Sequence, residues 1–205
     1  MPEGPIETYR AYLTRYAETL DLMSPAGLER LDQHLTDAQA YARVIAEHVP
    51  HAKQVLDVGS GAGLPGLVIA AELPNVHVEL VERRKKRATF LRGAAAAMGV
   101  TNVSVVSSDV THTVGASVAV VTAQAVARLA DVYSLTAHRH QDPVVLVSRK
   151  GPEGQAEVDE LASRTGKIVS ILARETLPNR GTLLAVQTAG GQPCPSSVSS
   201  TKKGA

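Results

Sequence analysis

The chain has 205 residues, 44% of them apolar and 3% aromatic, so aliphatic side chains must fill the core of one globular domain. The net charge of +1 gives no general argument for a polyanionic partner, and the single cysteine, Cys194, excludes an internal disulfide and a cysteine-based metal site. The lone cysteine, the lack of a signal-peptide pattern in MPEGPIETYR and the glycine and polar residues within the uncharged runs together predict a cytoplasmic protein without a membrane span.

The hydrophobic pattern predicts helices in the first quarter of the chain and alternating strands and helices after it. Residues 6–22 place tyrosine and leucine side chains on one helical face, and a second helical stretch covers about 26–49 and ends at Pro50. Ser24 is the predicted N-cap of that second helix, with Pro25 at its first position. The later elements are predicted as strands at 54–58, 76–82, 103–109, 117–124 and 143–151, helices at 65–73, 85–99 and 152–166, and two strands within 168–188.

Strands that alternate with helices predict an α/β fold with a doubly wound, mostly parallel sheet, and the two last strands predict an antiparallel end. We expect an N-terminal helical extension over 1–50, an α/β domain over 51–188 and a disordered tail over 189–205 that is rich in Gly, Ser, Pro and Lys. The chain contains no internal repeat that would indicate another architecture.

The segment QVLDVGSGAGLPGLVIA (54–70) carries a glycine-rich loop directly after the first predicted strand. Its alternate glycines are Gly59, Gly61 and Gly63. GAGLPG matches the dinucleotide fingerprint G-x-G-x-x-G, but that fingerprint starts at the strand end, and here the strand ends at Val58. The register is instead similar to motif I of class I S-adenosylmethionine (SAM) methyltransferases, where the ligand lies against bare backbone. Asp57 either supports the loop or faces the ligand's ammonium group through water.

Two acidic residues end the next two predicted strands. Glu82 stands where nucleoside-binding α/β folds accept hydrogen bonds from both ribose hydroxyls. Asp109 is placed to accept a hydrogen bond from an adenine amino group, or it caps a helix, since Asp is a favoured N-cap. Because the carboxyl ends of consecutive parallel strands meet at one edge of a sheet, the loop and these two residues favour SAM over NAD.

The loop and the helix after the second strand resemble one family. DVGSGAGLPG followed by ERRKKRATFLR is similar to the glucose-inhibited division protein B family, the small-subunit ribosomal RNA guanine-N7 methyltransferases. The Leu-Pro-Gly after the last loop glycine is a fairly specific mark, and the similarity runs from about Tyr9 to Thr188. HLTDA (34–38) resembles the family's His-x-x-Asp-Ser, KKRATFL (85–91) its Lys-Arg-x-x-Phe-Leu, and SRKG (148–151) its Leu-Lys-Gly.

The resemblance implies a Rossmann-like class I SAM-dependent methyltransferase domain at 51–188 that methylates N7 of a guanine in 16S rRNA. It implies S-adenosyl-L-methionine as the cofactor and 16S rRNA or the small ribosomal subunit as the partner, and we expect a monomer. No metal and no catalytic acid or base is expected, because guanine N7 attacks with a lone pair and carries no proton. The predicted cofactor contacts are Asp57, Gly59, Ser60, Gly61, Gly63, Leu64, Glu82, Arg83, Asp109, Val110, Thr111 and Gln124.

The run RRKKR (83–87) predicts phosphate contact. Cations in the first turn of a helix oppose its dipole at a cost of about 0.3–1 kcal/mol each, so five are unusual for structure alone, although a solvated charged face is the alternative. Neighbouring strand ends are expected to extend the patch through Arg128, Arg139, Arg149 and Lys150. The RNA-binding set is predicted as Arg84, Lys85, Lys86, Arg87, Arg128 and Lys150. His34 is expected to pack or cap a helix rather than to contact substrate.

The chain departs from the family pattern at three segments. Ser-Arg-Ala reads AQA (123–125), which replaces an arginine by Gln124; Arg-Val-Glu reads DVT (109–111); and Asn-Leu-Thr reads DLM (21–23). If the lost Arg and Glu normally pair, their joint loss is structurally neutral, whereas an arginine that positions cofactor or RNA would imply a changed substrate.

The alternatives are a diverged SAM enzyme for another RNA or a small molecule, and a catalytically silent SAM- or RNA-binding ribosome-assembly factor. An NAD oxidoreductase is more remote, because the sequence offers no hydride-handling site.

Overall fold

The computed structural model describes residues 4–178 and 181–190. Ala189, the first residue of the predicted tail, instead ends the last strand, and the tail from residue 191 onward lies outside the described residues. The described chain begins with α1 (Pro5–Tyr16), α2 (Pro25–Leu28) and α3 (Leu31–His48). The elements that follow are β1 (Gln54–Val58), α4 (Gly66–Glu72), β2 (His77–Val81), α5 (Lys85–Met98), β3 (Val103–Val106), β4 (Val118–Ala123), α6 (Leu129–Thr136), β5 (His140–Lys150), α7 (Gly154–Thr165), β6 (Ile168–Thr176) and β7 (Thr182–Ala189). Short 3₁₀ turns at Val110–His112 and Ala137–Arg139 precede β4 and β5.

Seven strands form one mixed sheet in the order β3-β2-β1-β4-β5-β7-β6. The strands β1 to β5 run parallel, and β7 pairs antiparallel with both β5 and β6, which confirms the predicted α/β sheet with an antiparallel end. Val58 at the end of β1 lies beside Val81 of β2 and Ala123 of β4. The carboxyl ends of three central strands therefore meet at one edge, and open α/β sheets bind ligands outside this edge.

The central strands are buried on both faces, because their alternate side chains enter two separate helical layers. Val55 of β1 points into a core that also contains Leu13 of α1, Ile45 of α3 and side chains of α4 and α5. Leu56, the next residue, points into a second core with Leu129 of α6 and side chains of α7. The N-terminal helices thus cover one face of the sheet together with α4 and α5.

The N-terminal helices differ from the prediction in their boundaries. The first helix ends at Tyr16 rather than at residue 22, and the second stretch is divided at Arg30 into α2 and α3. Ser24 caps α2 as predicted, since its Oγ accepts a hydrogen bond from the Gly27 amide. The division is stabilised by the side chain of Arg30, whose Nε donates to the carbonyl of Ala26 and satisfies an acceptor of α2. In the part of the chain that the structure describes, no helix is long and apolar enough to cross a bilayer.

Arg139 does not belong to the carboxyl edge of the sheet. β5 begins at His140, so Arg139 lies at the opposite, amino edge, where it is 1% exposed. Its Nη1 and Nη2 donate to Oε1 and Oε2 of Glu79 in β2 at 2.9 and 3.1 Å. The prediction that Arg139 extends the basic patch is therefore wrong, because the residue is buried and paired with Glu79 at the opposite edge of the sheet. The sequence does not reveal this pairing, since the two residues lie 60 positions apart.

Candidate functional site

The loop after β1 turns sharply, and its alternate glycines all adopt left-handed backbone conformations. The φ angles are +66° at Gly59, +53° at Gly61 and +103° at Gly63. A Cβ on Gly63 would lie 2.5 Å from Leu67 Cδ1, and a Cβ on Gly59 would lie 3.0 Å from Val126 Cγ2. Glycine is required here because a side chain would be strained at these φ angles and would also fill the space beside the loop.

Asp57 lies beneath the glycine loop. It is 1% exposed, and Thr122 Oγ1 donates to its Oδ1 at 2.6 Å. The Ser60 hydroxyl donates to the Asp57 carbonyl at 3.0 Å, and a Cβ on Gly66 would lie only 2.7 Å from Asp57 Oδ2. Burial raises the pKa of the Asp57 carboxyl to about 6, and the hydrogen bond from Thr122 partly offsets this effect. These contacts favour loop support over contact with a ligand ammonium.

Glu82, directly after β2, holds the loop from the side. Its Oε2 accepts a hydrogen bond from the Gly61 amide at 3.0 Å, and its Oε1 accepts one from the Arg84 amide at 2.7 Å. Glu82 is 6% exposed. Because each carboxylate oxygen can accept more than one hydrogen bond, Glu82 can bind backbone and ligand hydroxyls at the same time.

A cavity of about 350 Å³ opens at the carboxyl ends of β1 and β2. We call it the cofactor cavity because several of the predicted cofactor residues line it. Its lining residues are Val58, Gly59, Val81, Glu82, Arg83, Arg84, Arg87, Ser108, Asp109, Val110, Val126 and Leu135. Five of the predicted cofactor residues line this cavity: Gly59, Glu82, Arg83, Asp109 and Val110. Another five support or form the loop beside it: Asp57, Ser60, Gly61, Gly63 and Leu64. Thr111 instead donates a hydrogen bond to Asp109, and Gln124 lines another cavity. Sequence reasoning missed Ser108, Val126 and Leu135, because they belong to no recognisable motif.

Asp109 contributes a carboxylate on the β3 side of the cofactor cavity. It precedes a 3₁₀ turn, and its Oδ1 accepts hydrogen bonds from the Thr111 hydroxyl at 2.7 Å and the Thr111 amide at 3.0 Å. These hydrogen bonds hold the pKa of the Asp109 carboxyl below its usual value. The cap interpretation thus describes its contacts within the chain, while contact with adenine stays a prediction. The residues that differ from the family pattern at 109 and 111 contact each other.

The cations of the run RRKKR divide into an exposed group and one partly buried residue. The exposed residues are Arg83, Arg84, Lys85 and Lys86. Arg87 lies at the wall of the cofactor cavity, where its Nη2 donates to the Asp21 carbonyl and lies 3.6 Å from Asp21 Oδ2. The N-terminal extension therefore reaches the cofactor cavity through Asp21.

The two remaining predicted RNA contacts are paired with acidic side chains. Arg128 Nε donates to Glu160 Oε2 at 2.7 Å. Lys150 is 7% exposed, and its Nζ donates to Glu157 Oε2 and to the Ala127 carbonyl, each at 2.9 Å. The structure corrects the prediction for Lys150, because its ammonium is buried against α7 and is not presented to an RNA phosphate.

Asp57 should make the folding stability depend on pH. Its pKa is about 6 in the folded chain against 3.8 without burial, so its protonated form favours folding at low pH and this contribution is lost as the pH rises through 6. Relative to Asp57→Asn, the wild type should lose about 1 kcal/mol of unfolding free energy between about pH 5 and pH 7, measured by urea denaturation. Asp159→Asn, which changes an exposed carboxylate, is the control. A stability difference between the wild type and the Asp57→Asn variant that stays constant with pH would contradict the account.

Comparison with known proteins identifies the family. The chain matches the family model GidB, rRNA small subunit methyltransferase G, over residues 4–173. It is 37% identical over 154 residues to the ribosomal RNA small subunit methyltransferase G of Acidothermus cellulolyticus, which covers 71% of this chain and 67% of that protein. The protein of the same name from Neisseria gonorrhoeae is 34% identical over 154 residues, covering 75% of this chain and 72% of the relative.

Solved structures share the fold at low sequence identity. The O-methyltransferase from Bacillus cereus in complex with SAH superposes with a TM-score of 0.62 at 11% identity and covers 93% of both chains. Cofactor-bound Rv0187 from MTB superposes with a TM-score of 0.61 at 15% identity and covers 89% of both chains. These neighbours have the Rossmann-like SAM methyltransferase fold that the sequence predicts. The chain belongs to the rRNA small subunit methyltransferase G family, and S-adenosylmethionine is its cofactor.

Proposed function

We propose that the chain transfers a methyl group from SAM to N7 of a guanine in 16S rRNA, either in the free RNA or in the small ribosomal subunit. The observation that carries this proposal is the glycine loop with Glu82 and Asp109 at one edge of the sheet, in a member of this family. We also propose that 51–188 form the SAM-binding domain beside the helical extension 1–50, and that the protein acts as a monomer in the cytoplasm.

The chemistry of the cofactor cavity suits a nucleoside. Gly59 leaves open the space that a Cβ would fill beside Val126, so a ligand can lie against the backbone. Glu82 offers carboxylate oxygens to ribose hydroxyls, and Asp109 offers an acceptor to an exocyclic amino group. Val126 and Leu135 supply apolar surface for a purine ring. These features support binding of the adenosine part of SAM.

The reaction requires the protein to orient the two reactants and does not require it to transfer a proton. When bound, SAM supplies a methyl group on a sulfonium, and the new C–N bond forms as the C–S bond breaks, with the bonding electron pair left on sulfur. Guanine N7 carries no proton, so the chain needs no general base. Well-aligned approach of two reactants contributes about 7–11 kcal/mol to lowering a barrier. Asp57 and Glu82 serve this task by fixing the loop against which the methyl donor would lie.

The exposed cations at the start of α5 support the RNA-binding part of the proposal. Arg83 and Arg84 line the cofactor cavity, and Lys85 and Lys86 continue the positive surface along α5. The described first turn of α5 contains no acidic residue, so these charges oppose the helix dipole. Just before the helix, the Glu82 carboxylate accepts a hydrogen bond from the Arg84 amide, and it offsets only part of four exposed positive charges. RNA phosphates beside the cavity would supply the missing negative charge.

The proposed reaction is tested by supplying tritiated SAM and small ribosomal subunits from cells that lack this gene. We expect the purified protein to transfer label to 16S rRNA and nucleoside analysis to find it as 7-methylguanosine. Subunits from cells that express the gene are the control and should take up little label, because their guanine is already methylated. Label in another nucleoside would indicate a diverged RNA methyltransferase, and SAM binding without label would indicate a non-catalytic factor; either result contradicts the proposal.

Lys85→Gln combined with Lys86→Gln should weaken binding to small subunits and reduce its salt dependence, because two phosphate contacts are lost. In filter binding at several salt concentrations, the slope of log K against log salt should decrease by about 1.4–1.8. The matched control is Lys53→Gln with Lys167→Gln, which removes the same charge at the amino edge of the sheet. Equal slopes for the two double variants would rule out the start of α5 as the RNA-binding surface.

A further inference from the structure

A second cavity, of about 780 Å³, lies beyond the ends of β4 and β5 at the same edge of the sheet, and we call it the second cavity. It is larger than the cofactor cavity, whose volume is about 350 Å³. Its polar side chains are Gln124, Arg149, Lys150, Arg174, Thr176 and Thr182. Protein pockets of about 300–1,000 Å³ hold molecules of the size of a single nucleotide.

The segment 124–126 separates the two cavities. Gln124 and Ala125 line the second cavity, and Val126 lines the cofactor cavity. Ala125 has a φ of +55°, in the left-handed region that non-glycine residues rarely adopt. Backbone strain of this kind persists where the surrounding structure enforces it, often at functional sites. Ligands bound in the two cavities would therefore lie next to each other, on either side of this segment.

The charges around the second cavity favour an anionic ligand. Arg149 and Arg174 line it, and within the described residues no acidic side chain is part of the lining. Lys150 also lies at the cavity, but its ammonium is paired with Glu157. Two guanidinium groups together with hydroxyl and amide groups suit a phosphate and a base edge, since a guanidinium matches the geometry of phosphate oxygens.

The N-terminal extension holds Arg149 in place. Asp37 of α3 is 1% exposed, and its Oδ2 lies 3.7 Å from Arg149 Nη1. The Arg149 amide donates to the hydroxyl of Tyr41, also on α3, at 2.9 Å. A guanidinium has five N–H donors, so it can pair with Asp37 and also bind a ligand. On the other side, Arg174 Nη2 donates to Gln155 Oε1 at 2.6 Å.

We propose that the second cavity receives the acceptor nucleotide after it has swung out of its RNA stack, and that Arg149 and Arg174 bind the phosphates next to it. This inference rests on the proposed function. Enzymes that modify a base within a helix extrude it into a pocket, and the volume and the two cations fit such a nucleotide. Asp37 is a positioning residue, since it acts on the ligand only through Arg149.

The test measures SAM affinity by calorimetry and methyl-transfer kinetics with small subunits. Arg174→Gln should raise KM for subunits about 10- to 100-fold, because a charge-assisted hydrogen bond is lost, with the SAM dissociation constant unchanged within about twofold. Arg149→Gln alone would leave the buried Asp37 without the cation that pairs with it. Arg149 is therefore tested in the double variant Asp37→Asn/Arg149→Gln and in Arg149→Lys. The double variant should raise KM as much as Arg174→Gln does, and Arg149→Lys should raise KM less.

Two controls separate the possible outcomes. Arg164→Gln removes an exposed arginine that pairs with Asp131 on α6, away from both cavities, and should leave KM and SAM affinity unchanged. Asp37→Asn alone should raise KM about as much as its combination with Arg149→Gln, because both changes act through one guanidinium.

Failure of this inference differs from failure of the proposed function. If the wild type transfers no methyl group to subunits, the proposed function fails, and the nucleotide assignment falls with it. If the wild type is active and the Arg174 and Asp37/Arg149 variants keep its KM and kcat, only the assignment of the second cavity is overturned. Loss of SAM affinity in Arg174→Gln would also overturn it, because Arg174 would then serve the cofactor cavity.

Discussion

The left-handed glycine loop at the end of β1, which leaves bare backbone beside the cofactor cavity, is the constraint on which the rest of the structure depends. The loop from Gly59 to Gly63 can leave this space open only if its left-handed conformation is held in place. Asp57 holds it from below and Glu82 from the side. The fourth glycine, Gly66, permits this arrangement, because a Cβ there would lie 2.3 Å from Leu80 Cδ2 and collide with the β2 side chain behind the loop.

The N-terminal helices do more than cover one face of the sheet. Asp21, between α1 and α2, contacts Arg87 at the wall of the cofactor cavity, and Asp37 of α3 pairs with Arg149 at the second cavity. Both contacts join an acidic residue of the extension to an arginine at the carboxyl edge. The extension thus fixes side chains at two places where the parallel sheet alone supplies only strand ends.

The sequence predicted the features that depend on local pattern. β-branched runs between helices indicated the sheet, and the alternate glycines with Glu82 indicated the cofactor cavity, because each signal lies within one βα unit. The position of Lys150 could not be predicted, since its burial depends on Glu157 in a later helix. The second cavity was also missed: Gln124, Arg149 and Arg174 come from three separate parts of the chain, and no short motif joins them.

SAM titration calorimetry on Gly59→Ala and Gly99→Ala tests whether SAM lies against the bare backbone at Gly59. Both glycines have nearly the same φ, +66° and +69°, so the added methyl group should cost about 1–2 kcal/mol of folding free energy in each. A Cβ on Gly99 would meet no described side chain from elsewhere in the fold within 4 Å, whereas a Cβ on Gly59 would lie 3.0 Å from Val126 Cγ2 beside the cofactor cavity. Only Gly59→Ala should lose SAM affinity, by about tenfold or more. Equal SAM affinities for the two variants would show that SAM does not lie against the backbone at Gly59.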